Sequence, residues 1–142
     1  MNDRSEHTQI TDVHTVGVPV SDQARSLQFY VKKLGFETRL DAPFGDGRWL
    51  EVAPAGAATS IALVQTPRGA AIGVDTGIRL STADAASDHA TLLADGVDAD
   101  LEIMRMGELV PPMFAFRDPD GNRLVIVEQL GVSGAQATEA TS

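Results

Sequence analysis

The feature that most restricts this chain is a pattern of elements that occurs twice. Val13–Val20 alternates apolar residues as a half-buried strand does. Ser21 or Asp22 then offers a helix N-cap, and Leu27, Tyr30, Val31 and Leu34 follow at helical spacing before Gly35 ends the helix. Strands are expected at Phe36–Leu40, at Trp49–Val52 and at Ser60–Val64. The Asp41–Gly47 stretch reads as a loop and Ala53–Ala57 as a turn. The second half repeats the order. A strand at Gly77–Ser81 precedes a helix opened by Thr82 or Asp84 and ended by Gly96. A strand at Val97–Met104 follows, and a hairpin, Met113–Phe116 with Arg123–Val127, turns at Asp118–Asn122. Asp22 and Asp84 are 62 apart, Gly35 and Gly96 are 61 apart, and the two x-Pro-x-Gly-x turns are 65 apart. A repeat of this length with matched punctuation predicts two stacked βαβββ modules in an α+β fold.

The modules fall at about 10–66 and 75–130 within one domain, residues 10–130, and residues 67–75 read as a linker. Residues 1–9 and 131–142 are polar or small and read as disordered tails. The chain has 142 residues, a length that buries a core without staples. It contains no cysteine, which excludes disulfides, a Cys-based zinc site and a thiol nucleophile. A net charge of −9 disfavours nucleic acid and anionic membranes as partners. With no 20-residue apolar run and no signal-peptide core at the polar start, a cytoplasmic protein is expected.

Three segments carry a family resemblance: Val20-Ser-Asp-Gln-Ala-Arg-Ser-Leu-Gln-Phe-Tyr30, Lys33-Leu-Gly-Phe36, and Phe116-Arg-Asp-Pro-Asp-Gly-Asn-Arg-Leu-Val-Ile-Val-Glu128. Together they resemble the vicinal-oxygen-chelate superfamily, the glyoxalase, bleomycin-resistance and dioxygenase-like proteins, over about residues 12–129. The resemblance implies that each βαβββ half curls into an open cup. It also implies that two cups, within one chain or across a homodimer, enclose a small-molecule site. Members include metal-dependent lyases and dioxygenases and metal-free drug binders, so the fold alone does not fix the activity.

The resemblance also implies four metal-ligand positions, normally His or Glu. They fall here on Thr15, Glu51, Gly77 and Val125. Only Glu51 has an ordinary ligand side chain for zinc, nickel, iron or manganese. The expected cofactor is therefore none. A divalent metal remains as the alternative if shifted residues, His14 and Glu128, join Glu51. Both sit at the wrong strand parity for that, because one residue changes the face of a strand. His7 lies in the N-terminal tail and His89 on the second helix.

Parity with the ligand positions selects the expected lining: Thr15, Gly17, Trp49, Glu51, Gly77, Arg79, Val125 and Val127, with Phe114 and Phe116 joining them. Glu51 is either a general base, with Arg79 anchoring an anionic ligand, or the two neutralise each other. Trp49 is either a stacking platform or a core or dimer contact. The Met104–Met113 loop, with three methionines and two prolines, is either a lid or an interface element. Four functions stay open at this point. They are a metal-free small-molecule binder, a glyoxalase-type lyase or dioxygenase with shifted ligands, a metal-free enzyme using Glu51, and an interaction module.

Overall fold

A computed structural model describes residues 7–129. The expected tails at 1–9 and 131–142 therefore lie almost wholly outside the described residues. The first half contains β1 (Thr15–Val20), α1 (Gln23–Gln28), β2 (Glu37–Phe44), β3 (Gly47–Ala53) and β4 (Ser60–Gln65). The second contains β5 (Asp75–Thr82), α2 (Ala85–Ala94), β6 (Asp98–Ala99), β7 (Met113–Arg117) and β8 (Arg123–Glu128). Each half forms its own four-stranded sheet. The strand orders are β1-β4-β3-β2 and β5-β8-β7-β6, so the two halves have the same topology. In both, the first strand runs parallel to the last, the arrangement a βαβββ unit produces. None of the described helices is long and apolar enough to cross a membrane.

The local chemistry explains the element ends. Asp22 and Asp84 both have extended backbones, and their carboxylates accept from the amides of Arg25 and Ser87, each at 3.0 Å. Each satisfies an orphan donor of its helix. Helix α1 continues as a π-helical turn over Phe29–Lys33. Gly35 follows at φ 78°, which a residue with a Cβ rarely adopts.

Three boundaries differ from the sequence reading. The Asp41–Phe44 stretch is strand, because β2 lies at the sheet edge, where Pro43 needs no ladder donor on its outer side. The strand expected over Val97–Met104 is reduced to Asp98–Ala99 plus one bridge between Met104 and Met113. It stops where Asp100 turns its carboxylate to Arg117, at 3.0 Å, and Leu101 swings into solvent. Strand β5 starts two residues early, at Asp75.

The helical sides of both sheets meet in one core. Val18, Val20, Leu50, Val52, Ile61 and Leu63 from the first half share it with Phe114, Phe116, Leu124 and Ile126 from the second. Phe29 packs on Phe116 across the join, with ring centroids 6.2 Å apart. A buried polar clasp fixes the halves. The Tyr30 hydroxyl donates to Asp118 Oδ2 at 2.9 Å, and Asn122 Nδ2 donates to the Pro19 carbonyl at 2.8 Å. Burial, and then the Asp118 carboxylate, push the Tyr30 phenol far above its ordinary range, so it remains a hydrogen-bond donor.

Candidate functional site

With the core on the helical sides, the opposite faces of the two sheets stay open. On the first sheet the register places Thr15 beside Ser60, and Gly17 and Glu51 beside Ala62. Trp49 is paired with Ala42 and Glu51 with Leu40. The open face therefore carries Thr15, Gly17, Leu40, Ala42, Trp49, Glu51 and Ser60. Phe44 extends it by meeting Trp49 edge-on, with centroids 5.6 Å apart at 63°.

Glu51 is the centre of this face. It is 7% exposed, and each carboxylate oxygen accepts one short bond. The Trp49 indole Nε1–H donates to Oε2 at 2.7 Å, and the Ser60 hydroxyl donates to Oε1 at 2.7 Å. Thr15 Oγ1 lies 3.1 Å behind Ser60 Oγ and 3.2 Å from the Ser60 carbonyl. The Trp49 and Ser60 bonds, in that order, hold the Glu51 carboxyl below its ordinary range. Desolvation opposes them and is outweighed. The positive form of His14 adds a smaller attraction.

This arrangement has a pH signature. A carboxyl with a depressed folded value stabilises the fold above its unfolded value, and that stabilisation is lost as the pH falls through the folded value. The melting-temperature gap between wild type and Glu51→Gln should be full at pH 7. It should shrink as the pH falls below 4.5, the ordinary glutamate value. A gap that is equal at pH 7 and pH 3 would refute the assignment.

The open face of the second sheet has a different chemistry. Arg79 is paired with Val125, Val125 with Ala115, Met113 with Val127, and Ser81 with Val127. Arg79, Ala115 and Val125 share a cleft of roughly 470 Å³ with Arg123, Phe114 and two carboxylates, Asp100 and Glu102. Among the described residues Arg79 has no carboxylate partner. Neutralisation of Glu51 by Arg79 within the chain is thereby corrected, since the two residues stand on different sheets. Nor does any hydrogen bond, ion pair or aromatic contact among the described residues join the two open faces.

Strand parity sends the rings of Phe114 and Phe116 to the helical side, although Phe114 also borders the second-sheet cleft. Phe116 is fully buried in the shared core, and the Phe114 ring meets His89 of α2 edge-on, 4.8 Å between centroids. Register decides this point. Ala115 opposite Val125 puts 113, 115 and 117 on the open face and sends 114 and 116 to the helices. Met113, Ala115 and Ser60 are among the residues that the sequence reading missed, as are Leu40, Ala42 and Phe44. Continuing the alternation from Val125 across the hairpin would have found the first two.

The shifted metal set does not assemble. Glu128 Oε1 accepts from the Ala85 amide at 3.0 Å, on the helical side, and His14 is exposed. Among the described residues no three His, Asp or Glu side chains converge as a metal cluster requires. Gly77 and Val125 have no donor atoms to offer. Thr15 belongs to the hydroxyl pair behind Glu51. These residues do not fit the divalent ion implied by the resemblance.

Two βαβββ sheets of identical topology, each with an open face turned away from a shared core, define the class of fold. Residues 12–126 match the Glyoxalase/Bleomycin resistance protein/Dioxygenase superfamily, and the chain belongs to it. It is 33% identical over 125 residues to the uncharacterized protein YetH of Bacillus subtilis (strain 168), covering 84% of this chain and 99% of that one. It is similar to the crystal structure of TnmS3, an antibiotic binding protein from Streptomyces sp. CB03234. The identity is 37% and the TM-score 0.77, with 86% of this chain and 98% of that chain covered. A superfamily member from Sphaerobacter thermophilus DSM 20745 is 36% identical with a TM-score of 0.78, over 84% of this chain and 98% of that one.

Proposed function

We propose that the protein is a metal-free small-molecule binder whose cup is completed by a second copy of the chain. The observation that carries this reading is the engagement of Glu51. It is the one side chain of ligand type at the four metal positions, and both of its oxygens are already held by Trp49 and Ser60. The scaffold meanwhile keeps an aromatic wall, Trp49 and Phe44, and a cleft that holds Arg79, which forms no ion pair among the described residues. Apolar lining with a few placed polar groups is what a small-molecule site requires. The similarity to an antibiotic binding protein supports the same ligand scale.

The two half-cups differ in charge, with Glu51 on one and a mixed set of Arg79, Arg123, Asp100 and Glu102 on the other. Set face to face between two protomers, they would enclose a ligand with both walls. Leu101, Met106 and Leu109, the last 93% exposed, lie between β6 and β7 and offer apolar surface for such a contact. In the completed cup Trp49 stacks on a planar part of the ligand, and Arg79 takes an anionic or carbonyl part.

The test uses purified protein, bleomycin and a set of polycyclic aromatic antibiotics. Expected are a dimer mass by light scattering, a rise in melting temperature with at least one compound, and quenching of Trp49 fluorescence by the same compound. Tight stoichiometric binding of zinc, nickel, iron or manganese that disappears in Glu51→Ala would overturn the metal-free reading. A monomer that binds as well as the dimer would overturn the shared cup.

A further inference from the structure

Glu51 occupies a position where the family places chemistry, yet its geometry describes a different task. We propose that Glu51 is a positioning residue, which locks the indole of Trp49 as a fixed wall of the cup. Three contacts make the lock. The indole N–H is tied to Oε2 at 2.7 Å, and the carboxylate is itself tied through Oε1 to Ser60 at 2.7 Å. The ring is met edge-on by Phe44 from the neighbouring strand.

Each contact removes a freedom. A tryptophan side chain on an open sheet face has two rotatable bonds, and a half-buried indole samples several rotamers unless something holds it. Here the acceptor is an ionised carboxylate, and a charge-assisted bond is roughly twice as strong as a neutral one. Trp49 and Glu51 are two residues apart on β3, so both point to the same side and the bond runs along the strand. Ser60, on β4, holds the far oxygen, so the carboxylate cannot turn with the indole. Thr15, on β1, stands behind Ser60 at 3.1 Å. Three strands thus brace one ring. With the N–H occupied, the indole offers its faces and not its polar edge. A ligand that meets a ring already held pays less ordering entropy on binding.

The inference rests on the reading of the cup as a binding site, but the lock itself exists without ligand and can be measured without one. Trp49 is the single tryptophan of the chain, so its fluorescence and its indole N–H resonance are unambiguous. In ligand-free wild type the indole N–H is expected to exchange with solvent at least tenfold more slowly than free indole. Its fluorescence anisotropy should decay only with tumbling of the whole protein. Exchange at the free-indole rate in wild type would overturn the lock, and that measurement needs no variant to fold. Glu51→Ala should add a fast, local anisotropy component. Glu51→Gln, which still presents an oxygen to the N–H, should not. A fast component in wild type, or equal decays in wild type and Glu51→Ala, would also overturn it.

A ligand arm separates the two claims. With an antibiotic from the set that binds wild type, Glu51→Gln should bind within about threefold, while Glu51→Ala loses about tenfold. Loss of binding in Glu51→Gln equal to that in Glu51→Ala would make the charge, not the positioning, the essential property. Should no compound bind, the binding reading fails, and the exchange and anisotropy results still decide the lock.

Discussion

Asp118→Ala is expected to destabilise the protein by about 3 kcal/mol or more, several times the effect of removing an ordinary surface carboxylate. The Asp118 carboxylate is buried and accepts four hydrogen bonds, all at 2.9 Å. Oδ1 takes the amides of Asp120 and Asn122, and Oδ2 takes the Tyr30 hydroxyl and Asn122 Nδ2. Alanine leaves the Tyr30 donor without a partner in a fully buried position. It also frees the two amides that shape the turn. Leaving buried donors unmade costs about 1–3 kcal/mol each, which is why the loss exceeds the net worth of any one bond. At roughly 3 °C per kcal/mol for a chain of this size, the melting temperature falls about 10 °C. Tyr30→Phe removes one donor and leaves three, so it should cost only about 1 kcal/mol. The two changes should be strongly non-additive when combined, because they remove the same bond. Asp98→Ala, which breaks an exposed pair with Arg117, is the comparison and should cost under about 1 kcal/mol. Denaturant unfolding of the four variants checks this. An Asp118→Ala protein within a few tenths of a kcal/mol of wild type would show that the clasp is dispensable.

The same residues explain what could be read from the sequence. Tyr30 and the Asp118–Asn122 turn carried the family resemblance, and they turn out to be the two sides of the clasp. Their spacing is informative because the contact between the halves depends on both. The two helix caps were legible to within two residues, Ser21 or Asp22 and Thr82 or Asp84, since a cap is a local contract between one side chain and one amide, and Asp22 and Asp84 make it. What the sequence hid was register. An alternating strand shows which residues share a face, but not which face meets the helices. Val125 was assigned through the metal positions. Phe114 and Phe116, on a neighbouring strand, were not tied to it until the pairing of Ala115 with Val125 was known. Length was hidden too. Ile103 continues the alternation of Val97 and Ala99, yet the paired strand ends at Ala99, with one later bridge between Met104 and Met113. The Glu51 site was half legible. Its position followed from the resemblance, but the bonds from Trp49 and Ser60 needed the β3–β4 pairing, which brings Ser60 across from the end of β3.

Trp49→Ala should weaken binding of any antibiotic that wild type holds by about 30-fold, the equivalent of about 2 kcal/mol for a central aromatic anchor. The indole is the largest side chain on the first-sheet open face, and its loss removes both the stacking surface and the donor that completes Glu51. Stability should change far less than affinity. Trp49 is half-buried and packs against Phe44, outside the shared core. Trp49→Phe keeps a ring but has no N–H to give Glu51, so it should fall between the two, with a loss of about fivefold. Phe114→Leu makes the opposite case. That ring lies on the helical side against His89, so its trimming should cost about 1 kcal/mol of stability. Its effect on the dissociation constant should be far smaller than that of Trp49→Ala. Isothermal titration at one pH and salt concentration, paired with thermal melts, measures all three. Equal affinity in wild type and Trp49→Ala would mean that the ligand does not use the first-sheet face. A loss confined to Phe114→Leu would move the site to the helical side and undo the assignment of the cup. The pattern expected from the register is affinity lost at Trp49 and stability lost at Phe114, because one side chain waits for a ligand and the other already has its partner.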